Sequence, residues 1–243
     1  MPPIRKGDGT PVEPKGVSQI RTGDGRILFD GVAIPDSENL EHSWPFDDSS
    51  DTSTAVDTEG DKDLILTDTE YQNGVGDGGL HIYFEETDGI ATPEEQVIMP
   101  EWGEFTLSLW TIPEDGSDRR VYAHQAEEGS SSGGILLSSG GSGLEFRFDG
   151  DTNNDGFDST DWHMLTMSFD GSTLWCYIDD DNVIETSASM PSWSDDHFDI
   201  GNRGEDGSSY DDDNFVDHPK VWSSALDSSQ VKDLYDVTKS NYE

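Results

Sequence analysis

Residues 161–180 read DWHMLTMSFDGSTLWCYIDD, and their alternation decides the fold class. His163, Leu165, Met167 and Phe169 fall on one side of an extended strand, with Trp162, Met164, Thr166 and Ser168 on the other. Asp170-Gly171 is a residue pair that readily takes the positive φ angles of a tight turn. The return segment, 173–179, is apolar on both faces, with Leu174, Cys176 and Ile178 against Trp175 and Tyr177. Such a strand belongs inside a sheet that is covered on each side. The stretch predicts a β-hairpin at the centre of a sandwich.

From residue 38 onward the same punctuation recurs, short apolar runs separated by Gly, Asp, Asn and Ser clusters. Strands are expected at 42–46, 63–66, 80–84, 97–99, 104–112, 121–124, 135–138 and 144–149, and after the hairpin at 183–186, 198–201 and 215–222. Phe105, Leu107 and Leu109 share one face, as do Leu144, Phe146 and Phe148. The Gly/Ser tracts 129–134 and 139–143 read as hairpin loops. Only the end is helical: Asp227 caps, Gln230 follows three residues on, and Val231, Leu234 and Tyr235 form an apolar stripe. Pro219 inside the last strand predicts an edge or a bulge. The expected fold is an all-β antiparallel sandwich with one short C-terminal helix.

The 243 residues carry 53 acidic and 13 Lys and Arg side chains, a net charge of −40. Repulsion of this size opposes compaction in ordinary buffer. In molar salt the Debye length falls to about 3 Å, which screens the repulsion while carboxylates still hold water and cations. Ten Phe, seven Trp and seven Tyr set in alternating patterns argue for a folded, halophilic protein rather than a disordered one. Nucleic-acid binding through a basic surface is excluded, and no segment approaches the roughly 18 apolar residues of a membrane span. The single Cys176 rules out an intramolecular disulfide and reads as a buried thiol. The first residues have no apolar h-region, so the expectation is a protein made in the cytoplasm without a Sec signal.

Residues 1–36 differ from the remainder. Within 1–30 stand Arg5, Lys6, Lys15, Arg21 and Arg26 against Asp8, Glu13, Asp24 and Asp30, a net of +1, which leaves 8 basic and 49 acidic residues, net −41, for the rest. If acidity adapts a surface to brine, a neutral segment is one that brine does not reach. The division is therefore an extended N-terminal anchoring arm at 1–36, which orders against a partner, and a sandwich at 37–243.

The order of the pieces WPFDDSSDTSTAVDTEGD (44–61), FTLSLW (105–110), WHMLTMSFDGSTLWCYIDD (162–180), IGN (200–202) and FVDHPKVWSSALDSSQVKDLY (215–235) resembles the laminin G-like or concanavalin A-like jelly-roll domains. The resemblance implies two curved antiparallel sheets, binding of glycans or proteins, and structural calcium. The family's Asp-Gly after the second hairpin strand is replaced by Asp179-Asp180-Asp181-Asn182. The leader, with IRTGDGRILFDG and IPDS, is similar to leaders on structural proteins of haloarchaeal tailed viruses.

Matching the family's calcium pattern gives Asp57 and Asp217, with Asp61 as a third ligand. A second calcium candidate is Asp151-x-Asn153-x-Asp155-Gly156, the first half of an EF-hand loop whose twelfth position is Trp162 rather than Glu; the competing reading is an acidic β-turn. For glycans, Trp193, His197 and Tyr210 offer faces for stacking, with Asn214 and neighbouring carboxylates to fix hydroxyls. Catalytic residues are not expected. No stretch matches the Glu-x-Asp-x-x-Glu strand of glycosidases with this fold, and there is no nucleophile elbow or HExxH. His163 reads as a sheet residue.

The expectation is a non-enzymatic structural protein of a haloarchaeal virus. It would sit in the virion as capsid decoration, turret or tail fibre, in repeated copies. The arm would dock on capsid or tail proteins, and the sandwich would face the hypersaline exterior and host surface glycans. The alternatives are a free halophilic lectin-like module and a divergent glycoside hydrolase.

Overall fold

The computed structural model describes residues 20–21, 27–29, 32–46, 53–73, 80–84, 89–93, 103–113, 120–127, 134–140, 143–148, 151–154, 157, 159–190, 196–201 and 214–242. Three short strands, β1 (Ile20–Arg21), β2 (Ile27–Phe29) and β3 (Val32–Ala33), make an antiparallel sheet of their own. β4 (Leu40–Ser43), β5 (Thr54–Ala55), β6 (Leu64–Thr67), β7 (Thr69–Asn73), β8 (Leu80–Phe84) and β9 (Ile90–Pro93) follow. Next come β10 (Phe105–Thr111), β11 (Arg120–Glu127), β12 (Ile135–Gly140), β13 (Gly143–Phe148) and β14 (Asp151–Asn154). The chain closes with β15 (His163–Phe169), β16 (Thr173–Ile178), β17 (Asp181–Ser187), β18 (Asp196–Ile200), β19 (Asn214–Trp222) and the helix α1 (Ser228–Thr238).

Two sheets stack. One runs β17-β16-β15-β10-β19-β8-β7, with β4 also on β19; the other runs β14-β13-β12-β11-β18-β9-β6-β5. Their pairings are antiparallel throughout. Between them lies the main core. Leu165, Met167, Phe169, Leu174, Cys176 and Ile178 meet Leu137, Leu144, Phe146, Phe148, Phe198 and Ile200 there. Phe148 sits 4.9 Å from Phe169, centroid to centroid, so a ring from each sheet closes the contact.

The hairpin lies one strand in from the β17 edge, not at the sheet's centre. Apolar residues on both faces report cover, and cover exists on both sides. The outer face of β15, β16, β10 and β19 packs under Val231 and Leu234 of α1, with Trp110, Trp162, Met164, Tyr177, Trp222 and Leu226 between. Hydroxyls on that face are stitched to the segment leading into the helix. Thr106 Oγ1 donates to Ser224 O at 2.8 Å and accepts the Leu226 N–H at 2.9 Å, while Ser168 Oγ donates to Leu226 O at 2.8 Å. These bonds satisfy polar groups that would otherwise be buried at a cost.

The turn also differs from the expectation. Its central residues are Gly171, at φ +90°, and Ser172, closed by the Asp170 N–H to Thr173 O bond at 3.2 Å. Asp170 Oδ1 accepts the N–H groups of Ser172 and Thr173 at 2.9 and 2.8 Å. The Thr173 bond, with those from Ser172, holds the exposed Asp170 carboxyl below the usual Asp range. Pro219 makes a bulge rather than an edge: β19 lies between β10 and β8, the β10–β19 register slips after Ser108, and His218 takes φ +48°. Strands β5, β7, β9 and β14 were not expected from sequence. The strand expected at 97–99 lies outside the described residues.

α1 starts as its sequence dictates. Asp227 Oδ1 accepts the N–H groups of Ser229 and Gln230, and Gln230 Oε1 accepts the Asp227 N–H at 2.8 Å, a complete capping box. The bond from the Gln230 N–H, then the Ser229 hydroxyl, lowers the Asp227 pKa. A depressed carboxylate pKa contributes stability above the unfolded value, which is lost as pH falls through the folded one. Asp227→Ala is expected to cost about 1 kcal/mol at neutral pH. The matching drop in Tm is roughly 2–4 °C by thermal melting, and the difference from wild type should shrink on acidification.

Residues 34–36 are held by the sandwich. Ile34 is buried in the outer cluster, Trp222 Nε1 donates to Pro35 O at 3.3 Å, and the Ser224 hydroxyl bonds to Asp36 Oδ2.

Candidate functional site

Asp57 is 7% exposed and its carboxylate is filled by protein donors. Oδ1 accepts the N–H groups of Ser43, Glu59 and Gly60 at 3.0, 3.1 and 3.0 Å. Oδ2 accepts the Lys62 N–H at 3.2 Å and faces His42 Nδ1 at 2.6 Å. His42 stacks on Trp44 at 5.5 Å, and the Trp44 Nε1–H donates to Lys62 O at 2.8 Å. The early Asp-rich loop thus wraps around one carboxylate and is pinned to β4. Gly60 is required there, since a Cβ would stand 2.6 Å from Asp57 Oδ2, Glu41 O and His42 Nδ1 alike.

Asp217, on β19, is 5% exposed. Its Oδ1 accepts the His218 N–H at 2.8 Å, and its Oδ2 accepts the Tyr242 hydroxyl at 2.7 Å. Tyr242 in turn stacks on Trp110 at 4.0 Å, tying the chain's last residues to the outer face. Asp61 is exposed. Among the described residues, no group of three His, Cys, Asp or Glu side chains is placed to share a metal ion. Asp151 and Asn153 belong to β14, paired with Phe148 and Phe146 of β13, so residues 151–154 are strand. Asp155 lies outside the described residues.

A third network was missed at the sequence level. His163 Nδ1 faces Asp179 Oδ2 at 2.8 Å, and its Nε2 faces Ser159 Oγ at 2.9 Å. The order Ser–His–Asp is that of a hydrolytic triad, but the surroundings are those of a clamp. Ser159 Oγ also accepts the Asp161 N–H at 3.1 Å, and the Ser159 N–H is spent on Pro113 O at 3.1 Å rather than aimed at an oxyanion. Asp179 Oδ1 accepts the Met164 N–H at 3.0 Å, and Asp179 itself takes φ +58° at the start of the β16–β17 turn. The result ties the segment before β15 to the far end of the hairpin. Burial pushes the Cys176 thiol pKa up, so that group is protonated and inert.

Two of the four glycan candidates are described. His197 is on β18 opposite Ala126 of β11, and Asn214 opens β19 opposite Phe84 of β8, so the two stand in different sheets. Trp193 precedes β18, Tyr210 follows it, and both lie outside the described residues.

The profile of the concanavalin A-like lectin/glucanases superfamily, in its laminin G form, matches residues 84–232. The chain belongs to that superfamily. Solved structures carry the same fold at low identity. The sialidase of Trypanosoma rangeli, in complex with 2-keto-3-deoxy-D-glycero-D-galacto-2,3-difluoro-nononic acid, gives a TM-score of 0.66 at 18% identity, over 84% of this chain and 33% of that one. The binding domain of Paraclostridial Mosquitocidal Protein 1 gives 0.64 at 14%, over 82% and 52%. The receptor binding domain of botulinum neurotoxin C/D mosaic serotype gives 0.60 at 10%, over 83% and 52%. This chain thus spans between a third and about half of the length of those proteins. No curated protein matches the sequence.

Proposed function

We propose that this superfamily member is a non-enzymatic structural protein of a haloarchaeal virion, whose sandwich projects outward and binds host surface glycans while its arm docks on capsid or tail proteins. The observation that carries the reading is the partition of one chain into residues 31–243, which hold the lectin-type double sheet and a net charge of −41, and residues 1–30, with a net charge of +1. A strongly acidic sandwich suits a brine-facing surface, and a neutral leader suits a covered one. The leader motifs IRTGDGRILFDG and IPDS, read from the sequence as resembling leaders of haloarchaeal tailed-virus structural proteins, would suit the same placement. Glycan recognition is the use to which the superfamily's fold most directly lends itself, and the toxin neighbours are themselves binding domains.

The test compares the full chain with a chain lacking residues 1–33, which keeps the Ile34–Asp36 contacts with the sandwich. Both are expected to bind the same glycans on an array read in molar KCl, and only the full chain is expected to enter particles. Glycan binding with no particle association for either chain would favour the free lectin-like module. A flat array with arm-dependent incorporation would leave a scaffold without recognition.

A further inference from the structure

We propose that the loop at Asp57, where the superfamily resemblance implies calcium, is closed by the protein's own donors, so that the sandwich needs no metal there. Calcium takes six to eight oxygen ligands and needs lone pairs from its carboxylates. A carboxylate offers about four acceptor positions, and Asp57 already serves five donors: four backbone N–H groups and the His42 imidazole. His42 at 2.6 Å stands on Oδ2 as a cation would, and it stacks on Trp44, which is anchored to the same loop. For an ion to enter, Asp57 would have to release the N–H groups of Ser43, Glu59, Gly60 and Lys62. Each of those bonds given up is a loss that the ion would have to offset, most of all at Ser43, whose bond is buried. Nor is there space: the loop backbone at Gly60 comes so close that even a methyl group meets Asp57, His42 and the Glu41 carbonyl. Asp217, the second expected ligand, is likewise engaged by the Tyr242 hydroxyl and the His218 N–H.

The proposal rests on this geometry alone, and its test reads stability and binding of the ion, not of a glycan. The full chain is melted in molar KCl with EDTA, with millimolar CaCl2 and with millimolar MgCl2, and titrated calorimetrically with CaCl2. Tm is expected to be the same in all three, with no saturable calcium heat. Asp57→Asn, which sets an NH2 against N–H donors, is expected to lower Tm by several degrees equally with and without calcium. A calcium-specific rise in Tm, together with a stoichiometric heat that Asp57→Asn abolishes, would overturn the proposal. Calcium heat that survives Asp57→Asn supports it, since the ion then sits elsewhere. Should that variant not fold, Asp217→Asn takes its place: equal wild-type Tm with no saturable heat supports the closed loop, and a calcium-specific rise that Asp217→Asn abolishes refutes it.

Discussion

Trp44→Ala is expected to destabilise the sandwich by about 3–5 kcal/mol, the range for removing a fully buried large aromatic. Trp44 has no exposed surface and is among the largest buried side chains. It works at three levels. Its ring stacks on Phe198 of β18 at 5.8 Å, so it bridges from β4 on one sheet to the other. Its Nε1–H holds the Lys62 carbonyl, and its own N–H bonds to Pro219 O at 3.1 Å where β19 bulges. Its face supports His42, and through His42 the Asp57 loop. Truncation would leave a cavity, remove the indole donor to the Lys62 carbonyl and loosen the loop together. Urea unfolding in molar KCl measures the loss, with Val56→Ala as control. Val56 is 50% exposed, and its replacement is expected to stay within about 0.5 kcal/mol of wild type. A loss below about 1 kcal/mol for Trp44→Ala would mean that this ring does not join the sheets.

What the sequence disclosed and what it hid follow from the range of the forces involved. The alternation at 162–169 and the cap at Asp227 are local, and both appear in the structure as read. Centring the hairpin turn on Asp170-Gly171 would set Phe169 against Ser172; the observed register sets Phe169 against Leu174. The difference is an even slip of two residues, so every side chain kept its face while its cross-strand partner changed. That slip also brings Asp179 beside Met164 and His163, a clamp that the wrong register conceals. β14, reading Asp-Thr-Asn-Asn, has poor intrinsic strand preference and forms only because β13 offers an edge to pair with.

Asp57 shows the limit more sharply. Its place in an Asp-rich loop marks it as a calcium ligand, whereas in the structure its carboxylate accepts the N–H groups of Ser43, Glu59, Gly60 and Lys62. Whether its partner is a cation or a ring of N–H groups depends on how β4 and the Gly60 turn close around it, which no local pattern reports. The two described glycan candidates, His197 and Asn214, illustrate the same limit. Nearness along the chain from 193 to 214 hides that β18 and β19 belong to opposite sheets.

Transfer from molar to about 0.1 M KCl is expected to unfold the protein, because the Debye length then grows from about 3 Å to about 10 Å. The sign is fixed by the net charge of −40: compaction brings like charges together, and only mobile ions relieve the cost. A folded chain of this length approximates a sphere of roughly 20–25 Å radius, and an unfolded one is about three times larger. With screened Coulomb energies, the folded state's excess self-repulsion rises by about 20 kcal/mol between those salt concentrations. Bound K+ and proton uptake relieve part of this, so the figure is an upper bound. Native stability is about 5–15 kcal/mol, so even half of the increase competes with the whole of it. Local salt bridges offer little compensation; the network Asp180–Lys232–Asp236–Lys239 is exposed, and such pairs are worth at most about 1 kcal/mol each. Far-UV circular dichroism and melting along a KCl series check this, with sucrose in place of salt as control. Screening predicts that KCl and NaCl restore the fold alike and that sucrose, which leaves charges bare, does so poorly. A melting temperature unchanged between about 0.1 M and molar KCl would show that the acidic surface carries no net repulsion to be screened, and the argument for a brine-facing sandwich would lose its physical basis.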